Sequence, residues 1–293
     1  MALFTDRCKY YFSFFGKKIL SKDKVRQYLD SGRIPWSEGY KEYRYGYLTG
    51  ILRDTELLQR FSRSETLPAG HGIGLDERVV EYPWLLGRLR NSTGLLLDAG
   101  SVLNYPFLLE HPGLQGRPMV LMTLAPESYM AKSARVSYVF GDLRKTFFQD
   151  NTFTDIVCVS TLEHVGQDNT RLYTEDRRYR ENQPEDSSVA VAEFRRILAP
   201  GGRLNLTVPF GKPQNCGWLQ QFDSARLRKV ADAFGAPAIQ ADFFRYGPNG
   251  WQRSDESACA DCEYYDVHSS PAPAPDLAAA ARAVACLEFV KPT

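Results

Sequence analysis

The sequence predicts a doubly wound α/β domain with a mostly parallel sheet, preceded by a mainly helical N-terminal extension. Three observations carry that prediction. From residue 95 onward, short β-rich apolar runs recur, namely GLLLDAG, RPMVLMTLA, VSYVFGD and TDIVCVSTLEHV, each running into a polar or glycine-bearing turn. Their near-continuous apolarity, as in Ile156-Val157-Cys158-Val159, suits strands buried on both faces of a parallel sheet. A helical pattern follows in SSVAVAEFRRIL, with Val191, Phe194 and Leu198 on one face, stopped by Pro200-Gly201-Gly202 before the strand RLNLTVPFG. Strand, helix and strand in this order build a parallel sheet, and ligands of such sheets sit outside the carboxyl ends of the strands.

Composition bounds the remaining classes. The 293 residues allow one large or two ordinary domains, and 43% hydrophobic with 24% charged residues is ordinary globular usage. Lysine and arginine number 36 against 35 acidic residues, which lacks the basic excess of a dedicated nucleic-acid binder. Apolar runs fall well short of the ~18 residues that cross a bilayer. Asp6, Arg7, Lys9, Lys17 and Lys18 interrupt the apolar start, making it a poor signal peptide. Six cysteines, at 8, 158, 216, 259, 262 and 286, form no disulfide framework, so a soluble cytoplasmic protein is expected. Cys259 and Cys262 make a single CxxC pair without a second, and no metal site is predicted.

Residues 1–92 read as an extension or cap and 93–293 as the α/β domain. Residues 1–97 carry 16 basic and 11 acidic residues, and the remainder 20 and 24. Helices are expected at KDKVRQYLDSG, ended by Gly32, and at LTGILRDTELLQRF. In LDERVVEYPWLLGRL, the residues Val79, Val80, Leu85 and Leu86 are expected to pack on the sheet, leaving Asp76, Glu77, Arg78, Glu81, Tyr82 and Trp84 as a polar and aromatic set. The start YYFSFFGKK is expected to pack on the domain, with peripheral contact to an anionic membrane surface as the alternative. An alanine-rich helix and a last strand at 285–290 are expected at the other end. The polar stretch at about 167–186 has no apolar period and is assigned as a substrate loop.

The chemistry-bearing residues stand at strand ends in a fixed order. These are Asp98-Ala99-Gly100-Ser101, then Gly141-Asp142-Leu143, then Ser160-Thr161-Leu162-Glu163-His164. Together with the Pro-Gly-Gly hairpin, the segments LLLDAGS, GDLRKTFFQDNTFTDIVCVSTLEHVG and FRRILAPGGRLNLTVPFG resemble the class I S-adenosylmethionine-dependent methyltransferases over about residues 95–211. The resemblance implies a Rossmann-like fold and S-adenosylmethionine as cofactor. It implies that the turn of Asp98, Gly100 and Ser101 approaches the methionine part and that Asp142, between Gly141 and Leu143, reaches the adenine amine. It further implies that Ser160 and Thr161 face the sulfonium and that Arg78 or Tyr82 closes over the cofactor. Two departures are visible: Val102 and Asn104 replace the usual later glycines, and the second strand ends in Thr123, with Glu127 slightly late, where an acidic ribose ligand is expected. The cofactor has no pyrophosphate, so a phosphate cradle is not required.

His164 is the best-placed candidate for a general base, because imidazole titrates near neutral pH; a packed structural histidine is the competing assignment. Glu163 would orient it, and Asp168 or Glu175 would be the reserve. Trp218, Gln220, Gln221, Tyr246 and Trp251 combine aromatic faces with amides, which suits a sugar. The expectation is therefore a methyltransferase acting on a hydroxyl of a sugar or glycan intermediate, in polysaccharide or natural-product biosynthesis. The alternatives are a small natural-product or lipid acceptor, or an inactive methyltransferase-like module that binds a partner. The oligomeric state is not predicted.

Overall fold

In the computed structural model, which describes residues 22–236, 238–270 and 272–293, the apolar runs form the strands that the sequence predicts. In chain order these are β1 (Leu96–Ala99), β2 (Met119–Thr123), β3 (Val136–Phe140), β4 (Phe153–Val159), β5 (Leu198–Pro209), β6 (Gln214–Asn215), β7 (Gln220–Gln221), β8 (Gln240–Gly247), β9 (Gly250–Ser254) and β10 (Ala283–Val290). Eight of them make one sheet in the order β3-β2-β1-β4-β5-β10-β8-β9, while β6 and β7 pair separately. β1 to β5 run parallel; β10 is antiparallel to both β5 and β8, and β9 is antiparallel to β8. The strand order reverses at β1, which has β2 on one side and β4 on the other. A crevice therefore opens at their carboxyl ends.

Alternation along each strand divides the core between two faces. Leu96, Leu121, Val157 and Val159 cluster with the N-terminal helices α1 (Lys22–Asp30), α2 (Tyr40–Ile51), α3 (Thr55–Ser62) and α4 (Arg78–Arg88). Leu97, Ile156, Cys158, Leu204 and Leu206 cluster with the later helices. A short α5 (Pro106–Leu109) is followed by α6 (Asp186–Ile197), α7 (Ser224–Phe234) and α8 (Glu256–Cys259). The N-terminal helices are thus one covering layer of the sheet. Tyr28 donates its hydroxyl to Gly74 O at 3.1 Å within that layer, and Trp36 Nε1 donates to Ala279 O at 2.6 Å, tying the layer to the stretch before β10. The expected packing of YYFSFFGKK lies outside the described residues.

Three local expectations are corrected. LTGILRDTELLQRF is broken at Asp54, whose carboxylate caps α3 by accepting from Leu57 N at 3.0 Å. Pro200-Gly201-Gly202 does not end a helix; α6 stops at Ile197, and the Pro-Gly-Gly stretch bulges from β5 where the pairing jumps from Phe153–Leu198 to Asp155–Arg203. The alanine-rich tail is not helical. Ala278, Ala279, Ala280 and Ala281 are all buried, and the carbonyls of Leu277 and Ala279 accept from Tyr246 and Trp36 instead of from a helix ladder. Tertiary contacts have overridden alanine's propensity.

Arg117 and Asp155 form an ion pair with both side chains 1% exposed; Arg117 Nε also donates to Gly94 O at 3.0 Å. Replacing Arg117 with Met leaves a buried carboxylate with, among the described residues, only Arg90, 3.6 Å away, as its cation. We expect Arg117→Met to lower unfolding free energy by about 3 kcal/mol, read from urea denaturation; a change within error would mean that water or Arg90 satisfies Asp155.

Candidate active site

A cavity of about 290 Å³ sits at the carboxyl ends of β1 and β4. Its floor begins with the turn after β1. Asp98 is fully buried beneath that turn, accepting from Val102 N at 3.2 Å and Leu103 N at 2.7 Å. Burial pushes its carboxyl up to about 8, against the pull of those two amides. Asp98 shapes the turn and does not line the cavity, which corrects its expected role as a direct cofactor contact. Gly100 and Ser101 do line it. Gly100 has φ of 115°, and a Cβ there would stand 2.1 Å from Thr161 Oγ1, so the two turns touch through a position only glycine can fill.

The ends of β2 and β3 contribute Thr123, Gly141, Asp142 and Leu143. Glu127 is not part of the lining; it accepts from Asn104 Nδ2 at 2.6 Å, and burial pushes it up to about 7. Asp142 is gripped by Arg144, a residue that the sequence reading missed although it stands two places on. Arg144 Nε donates to both Asp142 oxygens at 3.0 and 3.1 Å, and Nη2 donates to Oδ2 at 2.6 Å. Its Nη1 reaches Glu181 at 3.0 Å and Asp186 at 2.6 Å.

After β4, Ser160 and Thr161 line the cavity together with Glu163 and His164. Glu163 is buried, its Oε2 has no hydrogen-bond partner among the described residues, and burial holds its carboxyl well above the usual range. His164 Nδ1 lies 2.8 Å from Trp218 O. A carbonyl can only accept, so the proton sits on Nδ1 and Nε2 presents a lone pair. That Nε2 is 3.9 Å from Glu163 Oε1. Burial pushes the imidazole down to about 4. Its ring stacks on Trp218 at 5.4 Å and meets Tyr173 edge-on at 5.2 Å. Asp168, the expected reserve base, is corrected: it caps a short turn by accepting from Thr170 N at 3.1 Å and, like Glu175, does not line the cavity.

The N-terminal layer closes another wall with Trp36, Lys41, Arg44, Asp76, Glu77, Arg78 and Tyr82. Arg44 Nε pairs with Asp76 at 2.6 Å, and Tyr82 donates to Val102 O at 3.2 Å. Arg78 and Tyr82, which the resemblance implies close over the cofactor, both line the cavity. Trp36, Lys41 and Arg44 carried no signal, because nothing in their local sequence shows that α2 and the turn before it reach the sheet's carboxyl edge.

Of the expected substrate wall, Trp218 lines the cavity and the others do not. Gln221 is fully buried, donating to Lys212 O at 2.7 Å and Cys262 O at 2.9 Å. Gln220 donates to Pro184 O at 2.8 Å. The Tyr246 hydroxyl accepts from Gly74 N at 3.0 Å and donates to Leu277 O at 3.2 Å. Trp251 is fully buried, with Nε1 donating to Leu75 O at 3.0 Å. All four use their polar atoms to join layers of the core, which corrects Gln221, Tyr246 and Trp251 as substrate contacts. Tyr173 and Tyr179, from the loop at 167–186, and Tyr264 and His268, from the stretch before β10, take their places. Among the described residues no group of three or more His, Cys, Asp or Glu is placed to hold a metal, and no helix is long and apolar enough to cross a membrane.

Residues 118–206 match the family model described as "Methyltransferase domain". No curated protein matches the chain. Among solved structures, the YcgJ protein of Bacillus subtilis is similar at 12% identity and a TM-score of 0.45, over 71% of this chain and 97% of that one. The 1,6-didemethyltoxoflavin-N1-methyltransferase of Burkholderia thailandensis, with bound 1,6-didemethyltoxoflavin and S-adenosylhomocysteine, is similar at 13% identity and a TM-score of 0.42, over 94% and 93%. The N-methyltransferase NodS of Bradyrhizobium japonicum WM9, in complex with S-adenosylhomocysteine, is similar at 12% and 0.38, over 85% and 99%.

The environment of His164 has a measurable consequence for stability. The unfolded imidazole takes its proton near pH 6.5 and the folded one near 4. The stabilising contribution is therefore complete above 6.5 and is lost as pH falls from 6.5 to 4, by up to about 3 kcal/mol. We expect His164→Gln to flatten the fall of urea midpoint between pH 7 and 4.5; an unchanged slope would show that the folded imidazole titrates normally.

Proposed function

We propose that this chain, which carries a methyltransferase domain with the class I S-adenosylmethionine-dependent fold, moves a methyl group from S-adenosylmethionine to a hydroxyl acceptor, with His164 as the base. The observation that carries the reading is the His164 imidazole in the cavity lining, whose Nδ1 lies 2.8 Å from Trp218 O and so carries the proton, leaving Nε2 able to accept one. When bound, the cofactor supplies a methyl on a sulfonium, open to in-line displacement.

The residues present fit that molecule. The glycine turn at Gly100-Ser101 offers close backbone approach, Leu143 and Met122 offer apolar contact for a ring, and the unpartnered Glu163 oxygen offers an acceptor. Asp142 would hold the adenine amine and Arg78 or Tyr82 would close over the cofactor. Burial pushes His164 down to about 4, which leaves it unprotonated at neutral pH but makes it a weak base, so it takes the acceptor's proton only as the new bond to the methyl makes that proton acidic. Most of the acceleration then comes from holding hydroxyl and methyl in line.

Trp218, Tyr173, Tyr179 and Tyr264 favour an acceptor with a ring, and a sugar or glycan intermediate is the class we assign. The test is methyl transfer from labelled S-adenosylmethionine to panels of sugar, phenolic, lipid and amine acceptors. With a working acceptor, His164→Ala and His164→Asn should each lower turnover at least about tenfold, while the Kd for S-adenosylhomocysteine stays within about twofold. Normal turnover in both variants would make His164 structural. An amine as the sole working acceptor would overturn the hydroxyl assignment.

A further inference from the structure

Glu81 faces inward from α4 with zero exposure, among the apolar neighbours Val79, Val80 and Leu85. Its Oε1 accepts the Ser160 hydroxyl at 2.6 Å and the Thr207 hydroxyl at 2.6 Å, and its Oε2 accepts the Arg78 guanidinium. Ser160 and Arg78 line the cavity, whereas Glu81 and Thr207 do not. One carboxylate therefore joins α4 to the carboxyl ends of β4 and β5, immediately behind the wall of the site.

Stability alone does not account for it. A buried charge at a helix–sheet interface costs desolvation, and well-packed apolar residues at such a place are commonly as stable. What the carboxylate adds is position. Ser160 has φ of 38°, a conformation that disfavours a side chain and persists where the surroundings over-determine it. The over-determination is visible: Ser160 N donates to Thr207 O at 3.0 Å and lies 3.1 Å from Thr207 Oγ1, and the hydroxyls of both residues end on Glu81. Arg78 is likewise held at its tip by Glu81, with Glu77 3.6 Å away as a second partner.

We propose that Glu81 is a positioning residue that sets Arg78 and Ser160 together for the molecule bound in the cavity, so that cofactor affinity depends on a carboxylate that does not touch the cofactor. This rests on the transferase reading above. Gln in place of Glu81 keeps an oxygen for the two hydroxyls but turns an amide donor toward Arg78. Calorimetry with S-adenosylhomocysteine on the full chain should show Glu81→Gln about tenfold weaker than wild type, with a native circular dichroism spectrum. Arg78→Ala should be weakened similarly, and E81Q/R78A no more than R78A alone, because the two act as one unit. Should E81Q not fold, the cycle of R78A, S160A and R78A/S160A, with Glu81 in place, carries the same test through its non-additivity. An E81Q affinity within about twofold of wild type, or additive effects in whichever cycle is measured, would overturn the proposal alone. A wild-type protein that binds no S-adenosylhomocysteine would overturn the transferase reading and this inference with it.

Discussion

The carboxyl edge of the sheet depends on the turn after β1 lying directly against the turn after β4. That contact leaves no room for a side chain at Gly100, whose missing Cβ would collide with Thr161. Asp98 enforces the bend from below by taking the amides of Val102 and Leu103. With the bend fixed by a carboxylate, the chain does not need further glycines at Val102 and Asn104. Asn104 instead uses its side chain, donating to Glu127 at 2.6 Å and Tyr129 O at 2.8 Å while accepting from Tyr138 at 2.7 Å. The departure from a glycine-rich loop is thus compensated by polar side chains that hold the ends of β1, β2 and β3 together.

Buried carboxyl groups divide the labour around the cavity, and their partners distinguish them. Asp98 has two backbone donors and serves a turn. Glu81 has three side-chain donors and serves two elements of the wall. Glu163 keeps one oxygen without a partner among the described residues, beside the imidazole of His164. An unsatisfied buried oxygen costs roughly 1–3 kcal/mol in a site with no other use for it. Satisfied carboxyls explain the shape of the site, while Glu163, Glu77 and Glu181, all in the cavity lining, each keep a buried oxygen without a partner among the described residues.

Much of the fold was legible because strand burial is written locally. The run Ile156-Val157-Cys158-Val159 reads as a doubly buried strand in any context, and the strand-end turns at Gly100, Asp142 and His164 follow from strand order. What failed were inferences from composition without partners. Trp251 and Gln221 looked like a ligand wall, yet their donors end on Leu75 O and Cys262 O. The alanines at 278–281 looked helical until the N-terminal layer covered them. Trp36, Arg44, Tyr264 and His268 come to the cavity from segments more than two hundred residues apart, which no local pattern reports.

Asp142 shows how two such distant segments become one device. Each of its carboxylate oxygens already accepts from Arg144, whose remaining amino group spans Glu181 and Asp186. Any donor that binds Asp142 from the cavity must share those lone pairs with the guanidinium, and a carboxylate has about four to offer. Glu181 and Asp186 stand at the end of the loop that also carries Tyr173 and Tyr179. Arg144 thus joins the β3 turn to the loop at 167–186 through one guanidinium. A charge placed two residues after an aspartate, with no special pattern in the sequence, links the part of the site read most securely from motifs to the part read least securely.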